Sequence, residues 1–288
     1  MSRRLFAVHG NDQRLDGGAM FGNVPRVLWE RWIAPDEKNR IELATRALLV
    51  HEGERLVLFE AGIGAFFSPE LRERYGVQGD TNRLLTGLDR HGLSDADIHV
   101  VVLSHLHFDH AGGLLSDWSP DEPPHLLFPN ATFLVSRRHW QRAQHPHARD
   151  RASFIPELNH QLAASGRLVL VDGPTHPALG DGYRFHFSDG HTPGMMLTEI
   201  SGELGPVLFG ADLVPGRAWV HTSVAMGYDR FPELLLDEKV ALLEWLAQAQ
   251  GRLFFTHDPA CALCHITRNE QGRFGSTNVK PSVRGVIA

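Results

Sequence analysis

The sequence predicts an α/β protein built from two mixed β-sheets covered by helices, and three observations lead there. The run IHVVVLS, from Ile98 to Ser104, is continuously apolar and β-branched, as in a strand covered on both faces. A series of shorter apolar runs follows it, with Gly and Pro at almost every junction. Strands and helices do not alternate regularly, which disfavours a single parallel sheet.

The elements can be read in order. ATRALLVHEGERLVLFEAG, from Ala44 to Gly62, holds two apolar runs around a Glu-Gly-Glu turn and predicts a β-hairpin. Asp80 or Thr81 can cap a helix through Leu84, Leu85 and Leu88 that Gly92 ends. Strands are expected at Ala131 to Val135, Arg167 to Val171, Tyr183 to Phe187, Met195 to Ile200, Val207 to Phe209 and Leu253 to Phe255. One amphipathic helix runs from Pro232 to Ala249, with Leu235, Val240, Leu243 and Leu246 supplying apolar faces. There is no tandem repeat and no low-complexity linker, so residues 1–288 are read as one domain around one large core.

Composition narrows the function. A net charge of -6 offers no general cationic field for a phosphate backbone, which argues against nucleic acid. The first residues lack the apolar run of a signal peptide, and no stretch is long enough to span a bilayer. The expectation is a cytoplasmic protein without membrane contact, acting on a small molecule, with a homodimer as an open option. Two cysteines are too few for a disulfide framework. Histidine is the unusual count, at 18.

The strand IHVVVLS feeds directly into His105-Leu-His107-Phe-Asp109-His110. At this composition a match to H-x-H-x-D-H is expected by chance roughly 0.004 times in the chain, so the cluster is specific. Three imidazoles and a carboxylate in six residues suit borderline divalent metals. One loop cannot supply a double site, and further donors stand at the ends of later apolar runs: His191 in SDGHTPG, Asp212 after VLFGA and His257 after LFFT. Groups at strand ends converge on one sheet edge, where loops hold a site without disturbing the core.

The ordered series HLHFDH, GHTPG, GAD and THD resembles the metallo-β-lactamase superfamily over residues 40 to 260. That resemblance implies a four-layer αββα sandwich and two metal ions, zinc above all, with iron, manganese or cobalt as alternatives. It also implies that His105, His107 and His191 hold the first ion, that Asp109, His110 and His257 hold the second, and that Asp212 bridges both. A water shared by two cations loses its proton near neutrality, so a bridging hydroxide can attack while the cations polarise the substrate oxygen. Asp109 is then a candidate to orient the nucleophile, and Asp189 and Asp258 are candidates to hold ligand imidazoles.

DGGAMFG, ATRALLV, MGYDRFP and HDP further resemble the branch of N-acyl homoserine lactonases and methyl parathion hydrolase. The expected chemistry is hydrolysis of a lactone or carboxylic ester, with phosphotriester or phosphodiester hydrolysis and a non-catalytic metal site as alternatives. The lactonases place a tyrosine shortly after the bridging aspartate, where this chain has Leu213-Val214-Pro215-Gly216. Tyr228 is the candidate replacement as an oxyanion donor, against a buried tyrosine with a satisfied hydroxyl. Phe21, Phe66, Phe67, Trp219 and Met226 are candidates for an apolar substrate wall, against simple core packing.

Cys261-Ala-Leu-Cys264-His265 matches the haem-attachment pattern, but that chemistry requires export, so the cysteines are read as packing residues within a helix, with a redox or accessory metal role as the alternative. RRHWQRAQHPHARDR, from Arg137 to Arg151, is a local basic patch, either a solvated surface or a rim that attracts anions. His139, His145 and His147 fall outside the ligand pattern.

Overall fold

A computed structural model describes residues 3–288. One sheet has seven strands, in the order β15 (Arg284–Ile287), β1 (Arg4–His9), β4 (Arg46–Glu52), β5 (Arg55–Phe59), β6 (Val100–Val102), β7 (Thr132–Ser136), β8 (Leu168–Val171). The other has six, in the order β14 (Phe274–Lys280), β13 (Leu263–Arg268), β12 (Arg252–Phe254), β11 (Val207–Phe209), β10 (Met195–Ile200), β9 (Tyr183–Ser188). β2 (Gln13–Asp16) and β3 (Arg40–Leu43) form a separate antiparallel pair. Both large sheets are mixed: β5, β6, β7 and β8 run parallel, as do β11 and β12, while the flanking strands are antiparallel.

Strand alternation explains the layers. In β6, Val100 and Val102 enter the core that also holds Phe209, Leu197 and Phe254 of the second sheet, whereas Val101 points into a second core with Leu84, Leu88, Leu158 and Leu162 of the outer helices. Each face needs an apolar residue, which is why the run is continuous. The helix Pro232–Gln248 lies against β13 and buries Leu235, Leu242, Leu243 and Leu246. Helix, sheet, sheet and helix therefore stack as an αββα sandwich. No helix among the described residues is long and apolar enough to cross a membrane.

The hairpin forms as β4 and β5 around Gly53, whose φ of 64° suits the turn. The helix near residue 80 starts later than its sequence suggests. Asn82, not Asp80 or Thr81, caps Arg83–Asp89 through its side chain on Leu84 N, because the Asn82 amide is itself anchored in the core on Gly113 O. The C-terminal region departs further. Residues 261–264 form no helix: Cys264 lies in β13, paired with Leu253 of β12. Sheet pairing on both sides of β13 supplies the hydrogen bonds that a lone helical turn would have supplied, and both thiols are buried. β15 then pairs with β1, so the two ends of the chain complete one sheet edge.

Candidate metal centre

The parallel strands β5, β6, β11 and β12 end on the same edge of the sandwich, and the chemistry gathers there. Glu60 follows β5, His105 to His110 follow β6, Asp212 follows β11 and His257 follows β12, while His191 occupies the turn leading into β10. Close backbone approaches make this convergence possible. A Cβ on Gly113 would stand 2.0 Å from Ala61 O, so only glycine lets the segment after His110 press against the segment after Glu60. Likewise a Cβ on Gly190 would meet Leu235 Cα at 2.4 Å, which seats the His191 turn on the long helix. Glu60 and Ala211 have φ of 64° and 40°, so both strand exits are backbone-strained beside the centre.

All seven side chains singled out from the sequence meet here. His105, His107 and His191 form one group with donor atoms within 4.8 Å of one another, and Asp109, His110 and His257 form another. Asp212 stands between them: Oδ1 lies 3.1 Å from His257 Nε2 and 3.3 Å from His110 Nε2, while Oδ2 lies 3.3 Å from His191 Nε2. Asp109 Oδ2 lies 3.6 Å from His257 Nε2 and accepts from Gln13 Nε2 at 3.0 Å.

The other ring nitrogens are held from behind, by groups the sequence reading missed. His191 Nδ1 donates to Asp229 Oδ1 at 2.8 Å and His257 Nδ1 to Ala44 O at 2.7 Å. His110 Nδ1 lies 2.5 Å from Glu60 Oε2, and His105 Nδ1 donates at 2.9 Å to Ser104 Oγ, which in turn donates to Glu60 Oε1. These acceptors place the protons on Nδ1 and turn the Nε2 lone pairs of His105, His110, His191 and His257 inward. Glu60, His105 and His110 also lie close enough to form a third donor group. Both Glu60 oxygens are already engaged by Ser104 and His110, so Glu60 acts as a support.

Asp189 and Asp258 do not hold imidazoles. Asp189 accepts from Gly194 N at 2.7 Å and pairs with Arg138, and Asp258 accepts from Arg217 and Ala260 N. Each is tied to its own turn, as Asp residues commonly are. The signal for Asp229 was present in MGYDRFP, but nothing in the sequence says that this loop folds back beneath His191.

The electrostatics describe a centre short of positive charge. Burial first, then crowding by neighbouring imidazoles, holds His105 and His107 well below the ordinary histidine range. For His110 burial opposes the charge, but the Glu60, Asp212 and Asp109 carboxylates outweigh it and hold the group well above that range. His257 is raised by Asp212 against the same burial. Burial works against the Asp212 anion, yet His110, His257 and His191 draw its carboxyl well below the usual range. Nε2 of His105, Nε2 of His107 and Oδ1 of Asp212 are buried with no hydrogen-bond partner. Buried polar atoms without partners are costly, and a ligand set of N and O donors around them fits divalent cations.

His139, excluded from the ligand pattern, has a structural task. Its Nε2 accepts from Leu106 N at 2.8 Å and its Nδ1 donates to Pro193 O at 3.1 Å, tying the His105 loop to the His191 turn. Burial pushes it down to about 3 from an ordinary 6.5, so it stays neutral. The unfolded chain takes up a proton near 6.5 that the folded chain refuses, so this contribution is intact above pH 6.5 and is lost as pH falls toward 3. His139→Gln is expected to cost about 1–3 kcal/mol at neutral pH. The gap from wild type, measured by denaturant unfolding, should narrow as pH drops; a gap independent of pH would refute the neutral clamp.

A cavity of about 200 Å³ opens beside the centre, lined by His107, Asp109, His191, Asp212 and His257 and by Leu15, Met20, Tyr75, Phe108 and Met226. Tyr228 lines it too, 37% exposed, with its phenol raised by burial and by the Asp109 and Asp16 carboxylates. Of the five apolar wall candidates, only Met226 is on this surface. Phe21 and Trp219 stack on each other at 4.8 Å in the core, and Phe66 and Phe67 pack together at 4.1 Å behind Phe108. These four rings fill the space between elements, while Tyr75, Phe108 and Tyr228 supply the rings at the opening. A larger groove of about 830 Å³ between β1 and the helix Arg83–Asp89 contains none of the seven residues.

Comparison with known proteins agrees with this geometry. Residues 40–257 match the model of the metallo-beta-lactamase superfamily. An N-acyl homoserine lactonase from a Bacillus species is 28% identical over 181 residues, 62% of this chain and 63% of that protein. The chain thus spans somewhat under two thirds of that relative's length. Among solved structures, a probable metal-dependent hydrolase from Staphylococcus aureus superposes with a TM-score of 0.86 at 25% identity, covering 98% of this chain and 96% of that one. A dizinc quorum-quenching lactonase in complex with a product superposes with a TM-score of 0.76 at 24% identity, covering 96% and 95%. By sequence match and by fold, the chain belongs to the metallo-beta-lactamase superfamily.

Proposed function

We propose that the chain is a dinuclear metal-dependent hydrolase that opens a lactone or a carboxylic ester. The observation that carries this reading is Asp212, whose two oxygens face opposite groups of three donors. His105, His107 and His191 would hold one ion, Asp109, His110 and His257 the other, and Asp212 both. The donor set, entirely N and O, suits zinc. The lactonase kinship of the relatives supports the substrate class.

When bound, the ions would lower the pKa of a shared water and polarise the acyl oxygen. The residues of the chain divide the remaining work. Asp109, steadied by Gln13, is placed to orient the water and take its proton as its oxygen bonds to the acyl carbon. Tyr228 supplies a phenol O–H to the oxygen on which negative charge develops. The ring or ester C–O bond then breaks, the departing alkoxide takes back the proton held by Asp109, and an acid and an alcohol result. Leu15, Met20, Phe108 and Met226 keep the acyl arm away from water.

Purified protein assayed on lactones, aryl esters and phosphotriesters, alongside metal analysis, tests this reading. About two ions per chain are expected, with activity on lactones or esters that is lost to a chelator and restored by zinc. A rate indifferent to full metal removal would refute it, and preferential turnover of phosphotriesters would replace the substrate class. Tyr228→Phe should lower kcat on the order of tenfold or more with metal content unchanged, since one oxyanion donor is lost; unchanged kcat would remove Tyr228 from the reaction.

A further inference from the structure

The cavity beside the centre carries two arginines whose charge neither an ion pair nor the hydrolytic chemistry uses. Arg149 and Arg230 both line it, beside Asp109 and Tyr228. Arg230 is held by its own loop: Nε donates to Tyr228 O at 2.8 Å and Nη2 to the same oxygen. That grip leaves Nη1 buried with no hydrogen-bond partner. Arg149 is exposed and donates through Nη2 to Gly227 O at 3.0 Å. Among the described residues no carboxylate forms an ion pair with either arginine. The adjacent Asp150 is committed to Arg142, which donates to its Oδ2 at 2.9 and 2.7 Å from Nε and Nη2.

Both guanidiniums line one small cavity and neither is ion-paired with a carboxylate, an arrangement that an anion in that cavity would favour. Much of the remaining lining is apolar, made by Leu15, Met20, Tyr75, Phe108 and Met226. The cavity, about 200 Å³ and open to solvent at one side, is below the ~300–1,000 Å³ of drug-sized ligand sites. A compact substrate suits it better than a long apolar chain held entirely inside.

We infer that Arg149 and Arg230 select a small ester or lactone that carries a carboxylate beyond its scissile bond. The planar guanidinium of Arg230 offers its unused Nη1 edge to that carboxylate, and Arg149 closes over it from the rim. The basic stretch Arg137 to Arg151 thereby acquires a role at its C-terminal end, as an anion-attracting lip. This rests on the hydrolase reading for the reacting centre, and only the arginine pair is added to it.

The test compares 4-nitrophenyl butyrate with mono-4-nitrophenyl glutarate, similar in acyl length but differing in charge, on the metal-loaded protein. Charge-assisted hydrogen bonds predict a KM for the glutarate ester lower by at least about tenfold. In Arg230→Gln and in Arg149→Glu, whose site is exposed and tolerant of change, the ratio of the two KM values should collapse toward one. Arg230→Lys, which keeps the charge, should retain part of it. Equal KM values in the wild type, or a ratio unmoved by these substitutions, would overturn the proposal while leaving the hydrolase standing. If neither ester is turned over, the lactone panel decides the hydrolase reading and calorimetry decides the arginine pair. Monomethyl glutarate, an anion, must then bind at least about tenfold more tightly than methyl butyrate, which carries no charge, with that margin lost in Arg230→Gln; equal binding rejects the proposal.

Discussion

Replacing Asp212 with alanine should empty both metal positions and lower kcat/KM by on the order of 10³-fold or more. Oδ1 faces His110 and His257 and Oδ2 faces His191, so this single side chain is the link between the two donor groups. Its removal leaves the imidazoles facing one another: His191 Nε2 lies 3.2 Å from His107 Nδ1, and His257 Nε2 lies 3.1 Å from His110 Nε2. Without the central anion, nothing offsets the charge gathered on His110 and His257, and any cations would repel each other unscreened. Asp212→Asn is the companion variant, because it keeps the shape and removes the charge. Mass-spectrometric metal counting distinguishes the outcomes. Fewer than one ion per chain in both variants is expected, with the fold retained by circular dichroism, and two ions retained in Asp212→Ala would refute the bridging assignment.

The parts of this centre that a sequence can disclose are those that lie in one loop or at the end of a recognisable strand. HLHFDH is local, and its residue types have little use other than metal binding when packed so closely. His191, Asp212 and His257 were legible because each follows or precedes an apolar run, and strand ends of a parallel sheet must meet at one edge. The β6 run was legible because a strand with a core on each face tolerates no polar position. The supports were not legible. Glu60 follows LVLF as an ordinary charged residue at a strand end, and only three-dimensional packing places it behind His105 and His110. Asp229 and Arg230 belong to a loop whose course depends on contacts such as Gly227 N on Ala19 O and Phe231 N on Gly190 O, between segments far apart in the chain. The C-terminal hairpin of β13 and β14 was missed for a similar reason. Its buried face is short and its outer face polar, so the pairing partners decide its structure more than its own pattern does.

Glu60 is therefore the position where a second large effect is expected, and it separates charge from packing. Its carboxylate is fully buried and supports one ligand of each donor group, His110 directly and His105 through Ser104. Such supports typically carry 10–100-fold in metal affinity. Glu60→Gln preserves volume but offers only one acceptor oxygen, so either the His110 contact or the Ser104 contact must be lost. The expected result is a 10–100-fold weaker affinity at both positions, read by competition with a chromophoric chelator, with the unfolding midpoint little changed in the metal-free protein. Glu60→Ala should do more: it opens a cavity in a strained strand exit where φ is 64° and strips two buried partners, a loss on the order of 3–5 kcal/mol. Asp229→Asn provides the contrast, since Asp229 touches only His191 among the proposed ligands, through a 2.8 Å bond. Its effect should fall mainly on the ion proposed for His105, His107 and His191. If Glu60→Gln weakened one position alone, or Asp229→Asn weakened both equally, the division of labour assigned to these buried carboxylates would be wrong.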